Sequence, residues 1–157
     1  VSYDDLRGVV GLGEAKIPVI LASLELARRY LLDSDQPIID SPEKAVELLA
    51  DIRDKKQEYF VCLTLDGANR LIAKRVVTIG TLTASLVHPR EVFADAIADR
   101  AASIIVAHNH PSGSLEVSQA DKDVTNRLAE AGKLLGITLN DHIIITKTNY
   151  KSLLHPE

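Results

Sequence analysis

Apolar residues recur along the chain with two different periods, which predict alternating helices and strands. Spacings of three and four residues indicate amphipathic helices, and short apolar runs rich in β-branched residues indicate strands. The expected helices cover residues 14–31, 41–54, 89–101 and 118–135. The expected strands cover residues 57–65, 70–81, 84–87, 103–107 and 137–146, before a closing turn at 150–154. This order of elements predicts an α/β fold.

Local sequence signals predict the ends, turns and inner faces of several of these elements. Ser41 and Pro42 suit the start of a helix, and the turn residues 66–69 predict an antiparallel hairpin over residues 57–81. Gly136 is the expected C-cap of the helix over 118–135, and the last strand should be broken or bulged near residues 140–141. The side chains expected on the inner face of that helix are Val124, Leu128, Ala131, Leu134 and Leu135.

The polar stretch at residues 33–40 looks like a boundary, so we expect a small helical segment with its linker at residues 1–35 and a main domain at 36–157. In the small segment, Gly11-Leu12-Gly13 precedes a helix whose free backbone N–H groups could hold a phosphate. Residues 1–32 are therefore open to two interpretations, a DNA backbone contact and a plain packing element. These residues alone favour the packing element.

Composition narrows the class of protein. The chain has 157 residues, of which 46% are hydrophobic and 4% aromatic, and its net charge is −4. This charge offers no general attraction for nucleic acid or an anionic membrane, and no apolar stretch reaches transmembrane length. The one cysteine, Cys62, lies in an apolar run, which predicts a buried core residue rather than a nucleophile and a cytoplasmic, reducing location.

A group of metal-ligating residues follows the strand at 103–107. His108 and His110 are two residues apart, so both imidazoles should project to the same side, and Asp121 returns in the first turn of the next helix. Two nitrogens and one carboxylate oxygen suit zinc, and three protein ligands leave one position for water, as in catalytic sites. The spacing therefore predicts a zinc site made by His108, His110 and Asp121.

A simpler interpretation exists for each part of this group. Ser118 and Asp121 also fit a capping box, in which serine bonds a backbone N–H and the acid reaches back. The two histidines alone could be a polar strand end. Other polar residues are assigned structural roles: His88 as a capping or surface residue, Asp141 and His142 as a hydrogen-bonded pair near the metal, and His155 as an exposed terminal residue.

The motif as a whole resembles a known family. His108-Asn109-His110-Pro111 is followed by Ser118 and Asp121, with seven residues between His110 and Ser118. This is similar to the JAMM motif of JAB/MPN zinc metalloproteases. The sequences around it, residues 89–93 and 141–145, resemble the RadC family in particular. The spacer before Ser118 departs from the family, which usually has a proline-rich segment where this chain has Ser114 to Val117.

The resemblance implies a fold and a mechanism. It implies a JAB/MPN-like (cytidine-deaminase-like) domain, with a mixed and largely antiparallel sheet flanked by helices, after part of a helix-hairpin-helix segment. It implies a zinc-dependent hydrolase that cleaves a peptide or isopeptide bond. Glu58 would serve as the general base and acid for the attacking water, and Ser118 would donate a hydrogen bond to the oxyanion. Neither of these two residues would ligate zinc.

Other functions stay open. The RadC name is associated with DNA repair, so the main alternative is a DNA-binding or interaction module without peptidase activity. A non-catalytic JAB/MPN scaffold is a further alternative, although all the motif residues are retained. A zinc deaminase is disfavoured because its Cys-x-x-Cys pattern needs two cysteines and this sequence has one. The sequence names no substrate.

Overall fold

The computed structural model describes residues 2–31, 36–80 and 87–155. These form two compact units, Val1–Gln36 and Pro37–Glu157. In the first unit, Ser2 and Asp5 form a capping box at the start of helix α1 (Tyr3–Arg7). A turn containing Gly11, at a φ of +93°, leads to helix α2 (Lys16–Leu31). None of the helices in the described ranges combines the length and apolar character that a bilayer crossing requires.

The second unit contains the sheet and its covering helices. Its helices are α3 (Pro42–Leu48), α4 (Pro89–Ala98) and α5 (Gln119–Leu135), with a 3₁₀ turn at Ala50–Ile52 after α3. Its strands are β1 (Tyr59–Leu65), β2 (Leu71–Ile79), β3 (Ser103–Asn109), β4 (Thr138–Ile145) and β5 (Tyr150–Ser152). The described strands form one sheet in the order β2-β1-β3-β4-β5. Among these described strands, β3 and β4 are the one parallel pair, so the predicted mixed, largely antiparallel sheet is confirmed.

Apolar side chains cover both faces of the sheet, as the continuous apolar runs of β1 and β3 require. On one face, Phe60 and Val106 pack with Phe93 of α4 and Leu128 of α5. On the other face, residues of β1 and β4 pack with Ala45, Val46 and Leu49 near α3 and with Ile52 of the 3₁₀ turn. Cys62 lies buried in the first of these clusters, and burial raises the pKa of its thiol to about 12.

The expected irregularity in the last strand is present. Ile104 pairs with Leu139 and the next residue, Ile105, pairs with Asp141, so Asn140 is the extra residue of a bulge in β4. The bulge resets the alternation of side chains along β4. His142 consequently lies beside Thr125 of α5, and this contact matters for the site below.

Some sequence expectations were wrong in detail. Leu134 is 89% exposed and Leu135 is 48% exposed, because the chain turns at Gly136 and Ile137 takes the core position that they were expected to fill. Helix α3 ends at Leu48 and gives way to the 3₁₀ turn instead of continuing to residue 54.

The segment expected as a closing turn is strand β5, because Tyr150 to Ser152 pair with Ile145 to Ile143. The short strand expected at 84–87 falls largely on residues 81–86, which lie outside the described part of the chain.

Candidate metal centre

Two imidazoles lie at the C-terminal end of β3, the middle strand of the sheet. His108 is the sixth residue of β3, and His110 follows its last residue while its N–H continues the ladder to Ile145 O at 2.8 Å. The alternation of a strand places both rings on the same side, with centroids 4.8 Å apart and Nε2 atoms 2.9 Å apart. His108 is fully buried and His110 is half-buried, so the pair reaches from the core to the surface.

The N-terminus of α5 brings the carboxylate. Ser118 is the N-cap: its Oγ accepts from the Asp121 N–H at 3.2 Å, and its own N–H donates to Asp121 Oδ2 at 2.8 Å. The predicted capping box is therefore present. The cap holds Oδ2, and Oδ1 lies 3.1 Å from His108 Nε2. The helix start thus fixes which carboxylate oxygen faces the imidazoles.

Asp121 is ionised at neutral pH despite being 1% exposed. Burial alone would raise the pKa of its carboxyl, but hydrogen bonding with His108 and Ser118 outweighs burial. The pKa of Asp121 therefore lies well below its usual range. A buried anion at this position requires a positive charge close to it.

The hydrogen bonds around the rings determine which nitrogens carry protons. Thr125 Oγ1 lies 2.7 Å from Asp121 O, which can only accept, so the hydroxyl donates there and accepts from His142 Nδ1 at 2.6 Å. His142 is fully buried, and burial lowers its pKa to about 3, so its ring is neutral and its Nε2 accepts. The donor to that Nε2 is His108 Nδ1, at 2.9 Å.

The same argument applies to His110, whose Nδ1 lies 2.8 Å from the carbonyl of Ser114 and must donate to it. On both rings the second nitrogen, Nε2, therefore faces the space that Asp121 Oδ1 also faces. Three lone-pair atoms in one place are stable only with a cation between them, either a shared proton or a metal ion.

The donor set fits a metal such as zinc. His108, His110 and Asp121 each offer one ligand atom, and these atoms lie within 4.8 Å of one another. Within the described residues, this is the one group of three or more His, Cys, Asp and Glu side chains so arranged. Two imidazole nitrogens and one carboxylate oxygen are donors that zinc accepts in catalytic sites. The structure thus brings together the three residues expected from the spacing.

Glu58 and Ser118 border the same surface cavity. This cavity, of about 340 Å³, is lined by Glu58, His110, Ser112, Ser114, Glu116 and Ser118. Glu58 is half-buried immediately before β1, and Ser118 Oγ lies 2.7 Å from Asp121 Oδ2. The structure therefore puts both residues beside the exposed side of the histidine pair, while their chemical roles stay predictions.

The remaining polar residues have structural partners. His88 is the N-cap of α4, where its Nδ1 accepts from the Arg90 N–H at 3.2 Å. Asp141 Oδ1 accepts from Ser152 Oγ at 2.9 Å, which fastens β5. His155 is exposed and contacts the backbone oxygen of Asn140.

Two residues that shape the site were not found from the sequence. Thr125 completes the hydrogen-bond chain described above, and Asn109 binds the backbone around Glu58. The available signal for Asn109 was strand alternation, which places it opposite the two histidines. The alternation does not reveal which residues it meets there.

The profile of the RadC-like JAB domain matches residues 39–157 of this chain. The chain belongs to the RadC family. A UPF0758 protein of Methanospirillum hungatei is 49% identical over 97% of this chain and 69% of its own length, and one of Bacillus licheniformis shows the same values. A UPF0758 protein of Rubrobacter xylanophilus is 46% identical over 92% of this chain and 65% of its own length. The names of these RadC relatives state no activity, although a JAB domain is consistent with a metal-dependent hydrolase.

Proposed function

We propose that this chain is a zinc-dependent hydrolase of the JAMM type that cleaves a peptide or isopeptide bond. The observation that carries the proposal is that His108 Nε2, His110 Nε2 and Asp121 Oδ1 lie close together. They lie beside a cavity that Glu58 and Ser118 line. Three protein ligands leave a coordination position for the reaction, which separates catalytic from structural zinc sites.

His108, His110 and Asp121 would hold the ion. Zinc bound there would lower the pKa of water to about 7 and polarise the substrate carbonyl. The buried side of the site is closed by His142 and Thr125, which orient His108. The substrate must therefore enter from the side of His110, where the cavity opens.

Glu58 is the proton carrier in this proposal. A carboxylate in the cavity can take a proton from the attacking water and later deliver it to the leaving amine, so that the acyl product gains hydroxyl and the C–N bond breaks. The support is its position in the cavity with His110 and Ser118. Among the described residues, the one other carboxylate that lines this cavity is that of Glu116, which is exposed on the loop before α5.

Ser118 has two roles in this proposal. Its hydroxyl donates to Asp121 Oδ2 as part of the cap, and Ser118 also lines the cavity. To stabilise an oxyanion it must turn from Asp121 to the substrate, after which the backbone N–H of Ser118 still holds Oδ2.

The test compares Glu58→Gln with the wild type on a mixture of unstructured peptides and lysine isopeptides, with zinc content measured in each sample. We expect hydrolysis to fall about 10²–10⁴-fold while zinc is retained, since general acid–base catalysis contributes that much. The matched control is Glu116→Gln, which removes the other carboxylate of the cavity and should leave hydrolysis unchanged. Equal hydrolysis by Glu58→Gln and the wild type would refute the role of Glu58.

Residues 1–32 support a separate and narrower proposal, that they contact a DNA backbone. Helix α2 follows the Gly11 turn and has no acidic residue in its first turn, where an anion would be favoured. Binding of duplex DNA should then weaken with rising salt and on replacing Gly11 and Gly13 by alanine. If DNA affinity changes neither with salt nor with the two glycine substitutions, a phosphate contact at this turn is excluded.

A further inference from the structure

Asn109 lies between the two histidines in sequence and on the opposite side of the strand. It is fully buried. Its side chain meets the segment just before β1 instead of the metal centre. Asn109 Oδ1 accepts from the Tyr59 N–H at 2.7 Å, and Nδ2 donates to Gln57 O at 3.0 Å and to Lys55 O at 3.3 Å.

These hydrogen bonds surround Glu58. Gln57 is the residue before it and Tyr59 the residue after it, and both are bound by the same carboxamide. The carbonyl of Glu58 itself accepts from the Gly80 N–H at 2.9 Å, at the end of β2. The backbone of Glu58 is thus fixed from β3 on one side and from β2 on the other.

Only a carboxamide fits this position. The site needs one acceptor for the Tyr59 N–H and two donors for backbone carbonyls, within the reach of a short side chain. Aspartate has the acceptor but no donors, and it would place a charge against two carbonyl oxygens. Serine has one donor only.

We propose that Asn109 is a positioning residue, which sets Glu58 relative to His108 and His110, its two neighbours in the sequence. One short segment would then carry both histidine ligands and the group that places the proton carrier. This inference rests on the proposed role of Glu58. A displacement of about 1 Å in such a group can cost about 10²-fold in rate.

The first test uses the wild-type protein and needs no substrate. Tyr59 begins β1, and a terminal amide ordinarily exchanges fast with solvent. If Asn109 binds it, amide hydrogen exchange at Tyr59 should be as slow as at Val61 in the strand interior. Exchange at the rate of a frayed strand end would overturn the proposal.

The second test replaces Asn109 by aspartate, and by serine as a neutral variant in case the buried charge prevents folding. Backbone ¹⁵N relaxation should show increased motion at residues 55–58, with zinc affinity unchanged within about threefold. The matched control is Asn140→Asp, which alters a half-buried asparagine that bonds Ser103. Unchanged relaxation at 55–58, or a loss of zinc binding in parallel, would contradict a positioning role.

The third test is a double-mutant cycle on hydrolysis. Asn109→Asp alone should lower kcat about 10²-fold with little change in KM, and adding it to Glu58→Gln should cost nothing more. An equal cost in both backgrounds would show that Asn109 acts through something other than Glu58. If the wild type hydrolyses nothing, the proposed function fails, and the exchange and relaxation results still decide whether Asn109 fixes this segment.

Discussion

At the scale of single residues, proton positions on buried rings decide what the metal centre can bind. His108 offers Nε2 to a metal because its Nδ1–H is directed at His142, and His142 accepts because its own Nδ1–H is directed at Thr125. Thr125 closes the chain by donating to the backbone of Asp121, which is itself part of the donor set. The hydrogen bonds thus link two of the three proposed ligands through residues that touch no metal.

Replacing Thr125 by valine should weaken zinc binding about 10- to 100-fold, the usual effect of losing a partner of a metal-bound histidine. Without the hydroxyl, His142 loses the acceptor for Nδ1–H and can carry its proton on Nε2 instead. His108 Nδ1 would then have to accept, which puts the His108 proton on Nε2, the atom that should ligate zinc. Competition with a chromophoric chelator measures the affinity. Thr64→Val is the control, because it also removes a buried threonine hydroxyl but one that bonds Asp99. Equal affinities in Thr125→Val and the wild type would exclude this chain of hydrogen bonds.

What could be predicted at this scale depended on local geometry. The approach of His108 and His110 follows from strand alternation, and the position of Asp121 follows from a capping box with Ser118, three positions before it. The roles of Asn109 and Thr125 depend on neighbours far along the chain. Asn109 bonds a residue 50 positions earlier, and Thr125 bonds one 17 positions later, so the register of β1, β3 and β4 had to be known.

At the scale of elements, one carboxylate joins α4 to the edge of the sheet. Asp99, the C-cap of α4, binds Arg75 of β2 through both oxygens and accepts from Thr64 Oγ1 of β1 at 2.7 Å. The hydrogen bond from Arg75 is the main reason that the pKa of Asp99 is lowered. Three elements therefore share this one group.

Asp99→Asn should lower the free energy of unfolding at neutral pH by about 1–2 kcal/mol, because Arg75 is partly exposed and its charge is screened. The lowered pKa means that this contribution is complete above the ordinary value of 3.8 and is lost as pH falls through the folded value. Urea unfolding of both proteins at neutral and acid pH measures the difference, which should shrink in acid. Asp95→Asn is the control, since Asp95 is 52% exposed and 3.8 Å from Arg75. A difference that does not depend on pH would contradict the ionic contribution.

The elements with strong periodicity and clear caps were predicted well, and those defined by tertiary contacts were not. Helix α5 was recognisable from Ser118 and Gly136, but its last turn is exposed because Ile137 folds back against Gly132. Strand β5 has only three residues and exists because it pairs with β4. Neither feature has a local signal.

At the scale of the whole molecule, every residue of the metal centre lies in the unit Pro37–Glu157. The match to the RadC-like JAB domain also falls within this unit, at residues 39–157. We therefore expect residues 37–157 alone to bind zinc with the stoichiometry and affinity of the full chain, because the ligands and the residues that orient them are all retained.

Isothermal titration calorimetry of both proteins with zinc measures the stoichiometry and affinity. In each protein, His110→Ala should reduce the heat of zinc injection to that of the buffer blank. If residues 1–32 contact DNA as proposed, the shorter protein should lose salt-dependent DNA binding while its zinc affinity stays the same. Loss of zinc affinity in the shorter protein would show that the first 36 residues stabilise the metal centre, and the two proposed functions could then no longer be assigned to separate parts of the chain.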